Sequence, residues 1–232
     1  MQVFNPAIHH NGEEDSPGES VESQAGPSGS SKGQNREALL LRQAAKVARP
    51  YLLVPRVEDC EAICQRYGML EHIKQHSRMV GELALALAGK AVLAGCDILP
   101  EAALAAGLLH DLGKTHCIDH GGHHDQIGAA WVMRETRNGP LAQAVLFHTR
   151  WPWRETPIKE IPLLTMLCFY ADKRVLHEDY VGLDRRFEDL RKRYGKTDQA
   201  LAHLALAENQ AREAESALGE ILGFDGISGF IP

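Results

Sequence analysis

The chain has 232 residues, 44% hydrophobic and 24% charged, with a formal charge of -6. This is the balance of an ordinary soluble globular protein. No apolar run reaches the ~20 residues that cross a bilayer, and no basic start followed by an apolar stretch marks a secretory signal. The acidic balance excludes a general nucleic-acid binder, whose surface has to complement a phosphate backbone. Five cysteines, odd in number and without a CxxC pair, read as reduced thiols of a cytoplasmic protein.

Residues 1–35 hold five acids and one base, whereas the remainder carries 26 acids and 24 bases. Within that stretch, 11–35 is rich in Ser, Gly, Glu and Pro, so we expect a disordered acidic tail. From residue 36 onward the pattern is helical. Glu37–Arg49 stripes Leu40, Leu41, Ala44, Ala45 and Ala48 on one face and stops at Pro50. Val57–Tyr67 is closed by Gly68. A long helix follows over Glu71–Ala94, with Ile73, Val80, Leu83, Leu87 and Ala91 inward. Pro100 opens Glu101–Leu112, which is Ala, Gly and Leu around almost its whole circumference and should be the central helix. Further helices are predicted over 124–136, 140–149, 161–176, 183–194 and 198–222, with a loop between Lys114 and His124. With no βαβ alternation and no repeat, residues 36–232 read as a single all-α domain, a helical bundle.

The chemistry concentrates on His110-Asp111, at the end of that apolar helix. A buried His and Asp are costly without partners, and a metal ion is a common compensation. Other metal-type ligands fall on inward faces. His76 is in register with Val80, Leu83 and Leu87; Asp172 continues the stripe Leu164, Cys168, Val175. His124 opens the 124–136 helix, and His148 ends the stripe Leu141, Ala144, Val145. One histidine on an apolar stripe is usually a hydrogen-bonded core residue. Five such residues on five core faces, plus Asp111, point to a metal site.

The order and spacing resemble the HD superfamily of metal-dependent phosphohydrolases, whose signature is H…HD…D. Here it reads His76, His110-Asp111 after 34 residues and Asp172 after 61 more. The flanking words match as well: His76-Ser77-Arg78-Met79-Val80, Leu108-Leu109-His110-Asp111-Leu112-Gly113-Lys114 and Tyr170-Ala171-Asp172-Lys173. The resemblance covers residues 57–195 and implies an HD-domain helical bundle. Two further words, His124-Asp125-Gln126-Ile127-Gly128-Ala129 and Phe147-His148-Thr149, are similar to those of two-metal members. These are the HD-GYP cyclic-dinucleotide phosphodiesterases and the bacterial HD-type dinucleoside-tetraphosphatases. The GYP word itself is missing, and segment 161–176 is closer to the second group.

The resemblance implies that His76, His110, Asp111 and Asp172 hold a first divalent ion, with Asp111 bridging to a second held by His124 and His148. Imidazole and carboxylate suit a divalent transition metal: Fe, Mn, Co, Ni or Zn. Two such ions against two carboxylates leave a net positive pocket that attracts phosphate and acidifies water. Asp111 and Lys114 are the expected catalytic residues, and Lys114, Arg78 and Lys173 the expected substrate contacts. The implied reaction is hydrolysis of a phosphoester or phosphoanhydride in a small, nucleotide-like substrate, with no specific nucleic-acid or membrane partner. Two other functions fit the same ligands: an HD-type di-iron oxygenase and a non-catalytic effector-binding module.

Other features carry less. Cys60 and Cys64, at i,i+4, read as small core positions. His116, His120 and His123 crowd the 114–124 loop, and the Gly-Ala spacing selects His124 over His123. The run Arg185-Arg186…Arg191-Lys192-Arg193 alternates with Glu188 and Asp189 as a solvated face does. Trp151 and Trp153 could wall a nucleobase or cap the core.

Overall fold

The computed structural model describes residues 53–151 and 157–223. The expected tail, the helix over Glu37–Arg49 and Trp153 lie outside these residues. The described helices are α1 Val57–Arg66, α2 Glu71–Leu93, α3 Pro100–Leu109, α4 Lys114–His120, α5 His124–Thr136, α6 Gly139–Phe147, α7 Leu163–Lys173, α8 Leu183–Tyr194 and α9 Asp198–Leu222. A 3-10 turn at Ile158–Glu160 precedes α7. Two-residue strands β1 (Val175–Leu176) and β2 (Asp179–Tyr180) pair antiparallel after it. The fold is all-α, and no helix among the described residues is long and apolar enough to cross a membrane.

Small residues make α3 central. Ala102, Ala103, Ala105, Ala106, Gly107, Leu108 and Leu109 are all buried, and the helix packs against α1, α2, α6 and α7. It stands between two apolar clusters. One gathers Val80, Leu87, Phe169, Tyr170 and Phe187; the other gathers Cys60, Ile63, Leu109, Leu112, Val132 and Leu141. Where α2 crosses α3, glycine is required: a Cβ on Gly107 would lie 2.4 Å from the Gly81 Cα. That contact sets the two helices, and so His76 and His110, at their separation.

Three local expectations are revised. α3 ends at Leu109, not Leu112, because the backbone tightens into i→i+3 bonds, Leu112 N–H to Leu109 O at 3.0 Å and Lys114 N–H to Asp111 O at 2.9 Å. The segment after Gly113, expected as loop, forms the seven-residue helix α4. α7 stops at Lys173, and β-branched Val175 enters the hairpin, paired with Tyr180.

α9 is tied to α7 by a buried polar group. Tyr170 Oη donates to Glu215 of α9 at 2.8 Å, and Arg174 contacts Tyr170 Oη and Glu215. Trp151 is buried against Phe169, with ring centroids 4.5 Å apart, and Gln210 of α9 binds its backbone at N and O. Trp151 therefore caps the core. Cys60 and Cys64 are buried core positions.

Candidate metal centre

Six side chains from five helices meet at one place. α2 brings His76, the turn after α3 brings His110 and Asp111, the start of α5 brings His124, the C-cap of α6 is His148, and the last turn of α7 carries Asp172. A second close approach seats α5: a Cβ on Gly113 would lie 2.4 Å from the His124 carbonyl oxygen. The imidazoles form a row, His76–His110–His148–His124, with successive ring centroids 5.4, 4.9 and 5.1 Å apart.

The tautomers of the two central rings follow from their partners. His110 Nδ1–H donates to Gly107 O at 2.7 Å, and His148 Nδ1–H donates to Val145 O at 2.6 Å. Both acceptors are carbonyls three residues back at a helix C-terminus, groups otherwise left without partners. A carbonyl only accepts, so each Nε2 of the neutral ring presents its lone pair to the cluster. His110 Nε2 is buried and has no hydrogen-bond partner. It stands 3.4 Å from Asp111 Oδ2 and 3.6 Å from Asp172 Oδ1. His76 Nε2 lies 3.0 Å from Asp172 Oδ1. On the other side, His124 Nε2 is 3.2 Å from His148 Nε2 and 3.3 Å from Asp111 Oδ1.

The donor atoms fall into two groups that could each hold a metal ion, His76–His110–Asp172 and His110–Asp111–His148. His124 adjoins the second. His110 belongs to both, and Asp111 turns Oδ2 toward His110 and Oδ1 toward His124 and His148. A buried ring nitrogen without a partner, amid imidazoles and carboxylates, is the donor set a divalent cation fits once it displaces the ring proton.

The charges are set by neighbours. Burial opposes ionisation of Asp111, but Lys114 and His110 outweigh it and hold the carboxyl well below its usual range. Asp172 is likewise held low against burial, by Lys173, His110, His76 and Arg186. Burial, with His148 beside it, pushes His124 down to about 4, so its ring is neutral.

The expected substrate contacts separate. Lys114 lines the cavity beside the cluster, with Nζ 2.6 Å from Asp111 Oδ2. Lys173 is buried and its donors are engaged: Nζ bonds Asp172 Oδ2 at 2.5 Å and His148 O at 2.9 Å, and lies over the Phe169 ring. It also lines the cavity, with its ammonium committed to Asp172 and the His148 carbonyl. Arg78 is off the site altogether. Two residues past His76 it projects from another face of α2, where it pairs with Glu71 and Glu61 on the surface. His123 is the exposed N-cap residue of α5, and His116 stacks on His120 at 4.4 Å, away from the cluster.

A cavity of about 610 Å³ opens over the cluster. Its walls include three residues that the sequence did not single out: His177 and Glu178 of the hairpin turn, and Tyr194 of α8. His177 holds a φ of 56°, strained for a non-glycine residue. Arg186, expected on a solvated face, is buried and donates to Asp172 Oδ1 at 3.3 Å. The signal was present in the stripe Leu183, Phe187, Leu190, Tyr194, which places Arg186 beside the apolar face.

The family model described as HD domain matches residues 73–175. This stretch holds His76, His110, Asp111, His124, His148 and Asp172, and ends before α8. The match supports the HD-domain superfamily, whose members are generally hydrolases and bind divalent metals. It does not reach the narrower dinucleoside-tetraphosphatase branch. Searches of curated proteins and of solved structures returned no significant match.

Proposed function

We propose that the chain is a metal-dependent phosphohydrolase that cleaves a phosphoester or phosphoanhydride of a small nucleotide-like substrate. One observation carries this reading: the buried, unpartnered Nε2 of His110, the member common to two donor groups, with Asp111 beside it. His76, His110 and Asp172 would hold one divalent transition ion; Asp111, His148 and His124 would hold another, with Asp111 common to both. Ions bound there supply Lewis acidity, making hydroxide available near neutral pH and offsetting phosphoryl charge.

The protein's own groups do the rest. The Gly107 and Val145 carbonyls fix the rings of His110 and His148, so no reorientation is needed on binding. Lys173 and Arg186 hold Asp172 from behind. Lys114, at the cavity edge, exchanges its contact with Asp111 for a phosphoryl oxygen as charge develops there. A cavity of about 610 Å³ with Ile118, Leu190 and Leu204 on its walls accepts a substrate with an apolar portion beyond the phosphoryl group.

The test is a screen for inorganic phosphate release by the full chain across mono-, di-, cyclic and dinucleotides, with Mn, Fe, Co, Ni and Mg each supplied. Release with at least one substrate, lost in Asp111→Ala, is expected. Substrate-dependent oxygen uptake without phosphate release would contradict the proposal.

A further inference from the structure

α8 lies beyond the stretch that matches the HD family, yet it forms one wall of the cavity. Arg186, Leu190, Arg193 and Tyr194 all line it, and their i, i+4, i+7, i+8 spacing places them on one helical face. The two arginines differ in how their charge is met. Arg193 Nε donates to Asp189 at 2.7 Å, on the partly exposed end of the wall. Arg186 is deeper, with only 7% of its side chain exposed.

A guanidinium carries five N–H donors in one plane. Among the described residues the Arg186 guanidinium makes a single hydrogen bond, Nη2 to Asp172 Oδ1 at 3.3 Å. Its Nη1 stands 3.8 Å from Asp189, beyond hydrogen-bond range, and its Nε–H is buried without a partner. Asp172 does not require this cation, because Lys173 already meets Oδ2 at 2.5 Å and His76 meets Oδ1 at 3.0 Å. Asp172 and Asp189 offset the charge, but a buried guanidinium N–H without an acceptor is unfavourable unless a further anion completes it.

We propose that Arg186 is the anion-gripping residue of this cavity, its unmatched donors taking the oxygens of a tetrahedral phosphoryl group in a fork that Asp172 holds in place. The identification of the anion as phosphoryl rests on the phosphohydrolase reading; the unmatched donors do not. Selection of the charged end of the substrate is thereby assigned to α8, outside the motif region. Planar, bidentate donation is what distinguishes arginine from lysine at such a position.

Calorimetric titration of inorganic phosphate into the metal-loaded full chain tests this, with metal content measured on the same samples. Arg186→Gln keeps a donor for Asp172 and removes the charge and the fork. It should retain its metal and bind phosphate about 10- to 150-fold more weakly, the range for hydrogen bonds to a charged group. Arg186→Lys keeps the charge without the fork and should fall between the two. It also keeps the test decisive if the glutamine variant does not fold.

Phosphate affinity within twofold of wild type in either variant overturns the proposal. So does loss of metal together with phosphate, which would make Arg186 only a support for Asp172. A protein that releases phosphate from esters but binds orthophosphate independently of Arg186 refutes this inference alone. Arg186-dependent phosphate binding in a protein that hydrolyses no ester refutes the proposed activity alone.

Discussion

Gly107→Ala tests whether the α2–α3 crossing sets the site. The added Cβ would lie 2.4 Å from the Gly81 Cα, 2.5 Å from its N and 2.8 Å from the Val80 carbonyl carbon, all backbone atoms. Carbon atoms touch at about 3.5 Å, so the helices must part by about 1 Å. Overpacking of this kind costs about 1–3 kcal/mol or more, against a helix-propensity gain of about 1 kcal/mol for alanine over glycine. Net destabilisation of up to ~2 kcal/mol is expected, a fall in Tm of roughly 4–8 °C for a domain of this size. Gly89→Ala, on the same α2, is the control, because nothing lies within 4 Å of its added Cβ. Propensity then acts alone, and the variant should be stabilised by about 0.5–1 kcal/mol. Scanning calorimetry of both variants measures the pair. Gly107→Ala melting at or above wild type would refute the close-contact argument.

Two further predictions concern ionisation. In chelator-stripped protein, burial pulls the His110 imidazolium down, but Asp111 and Asp172 outweigh it and hold its pKa up at about 9. A raised pKa contributes stability that is complete below 6.5 and lost as pH rises through about 9. A metal must displace that proton, so its affinity should climb about tenfold per pH unit up to about pH 9. Metal titrations at several pH values would show this, and a flat profile would contradict it. Burial pushes the Cys60 thiol up to about 12 and Cys64 to about 11, and raises Cys168 further. These thiols stay protonated when folded, so their contribution is complete below pH 9 and lost toward pH 12. At pH 8 a disulfide reagent should react rapidly only with Cys96 and Cys117; fast reaction of a third thiol would show that the core opens.

The sequence placed most of the helices because their signals are local. α5, α8 and α9 have the expected bounds, set by Gly121-Gly122 before α5, Gly182 before α8 and Thr197 before α9. The register of His76 and Asp172 on apolar stripes was equally legible. α4 was not, since seven residues with two histidines, a threonine and an aspartate carry little helical propensity or periodicity. Arg78 was misplaced by its closeness in sequence to His76; two residues along a helix is a rotation of about 200°. Arg186 was hidden for the converse reason. Its burial depends on α7 bringing Asp172 against α8, a contact that charge patterning along one helix does not encode.

The central claim is that the His/Asp cluster is a divalent metal centre, and metal analysis tests it most directly. The full chain purified without chelator, and its His110→Ala variant, are compared by elemental mass spectrometry, with circular dichroism verifying that both are folded. Wild type should carry about one to two transition-metal ions per chain, and the variant, which loses the donor common to both groups, should carry almost none. Folded wild type without metal, or a variant that keeps the full complement, would contradict the account.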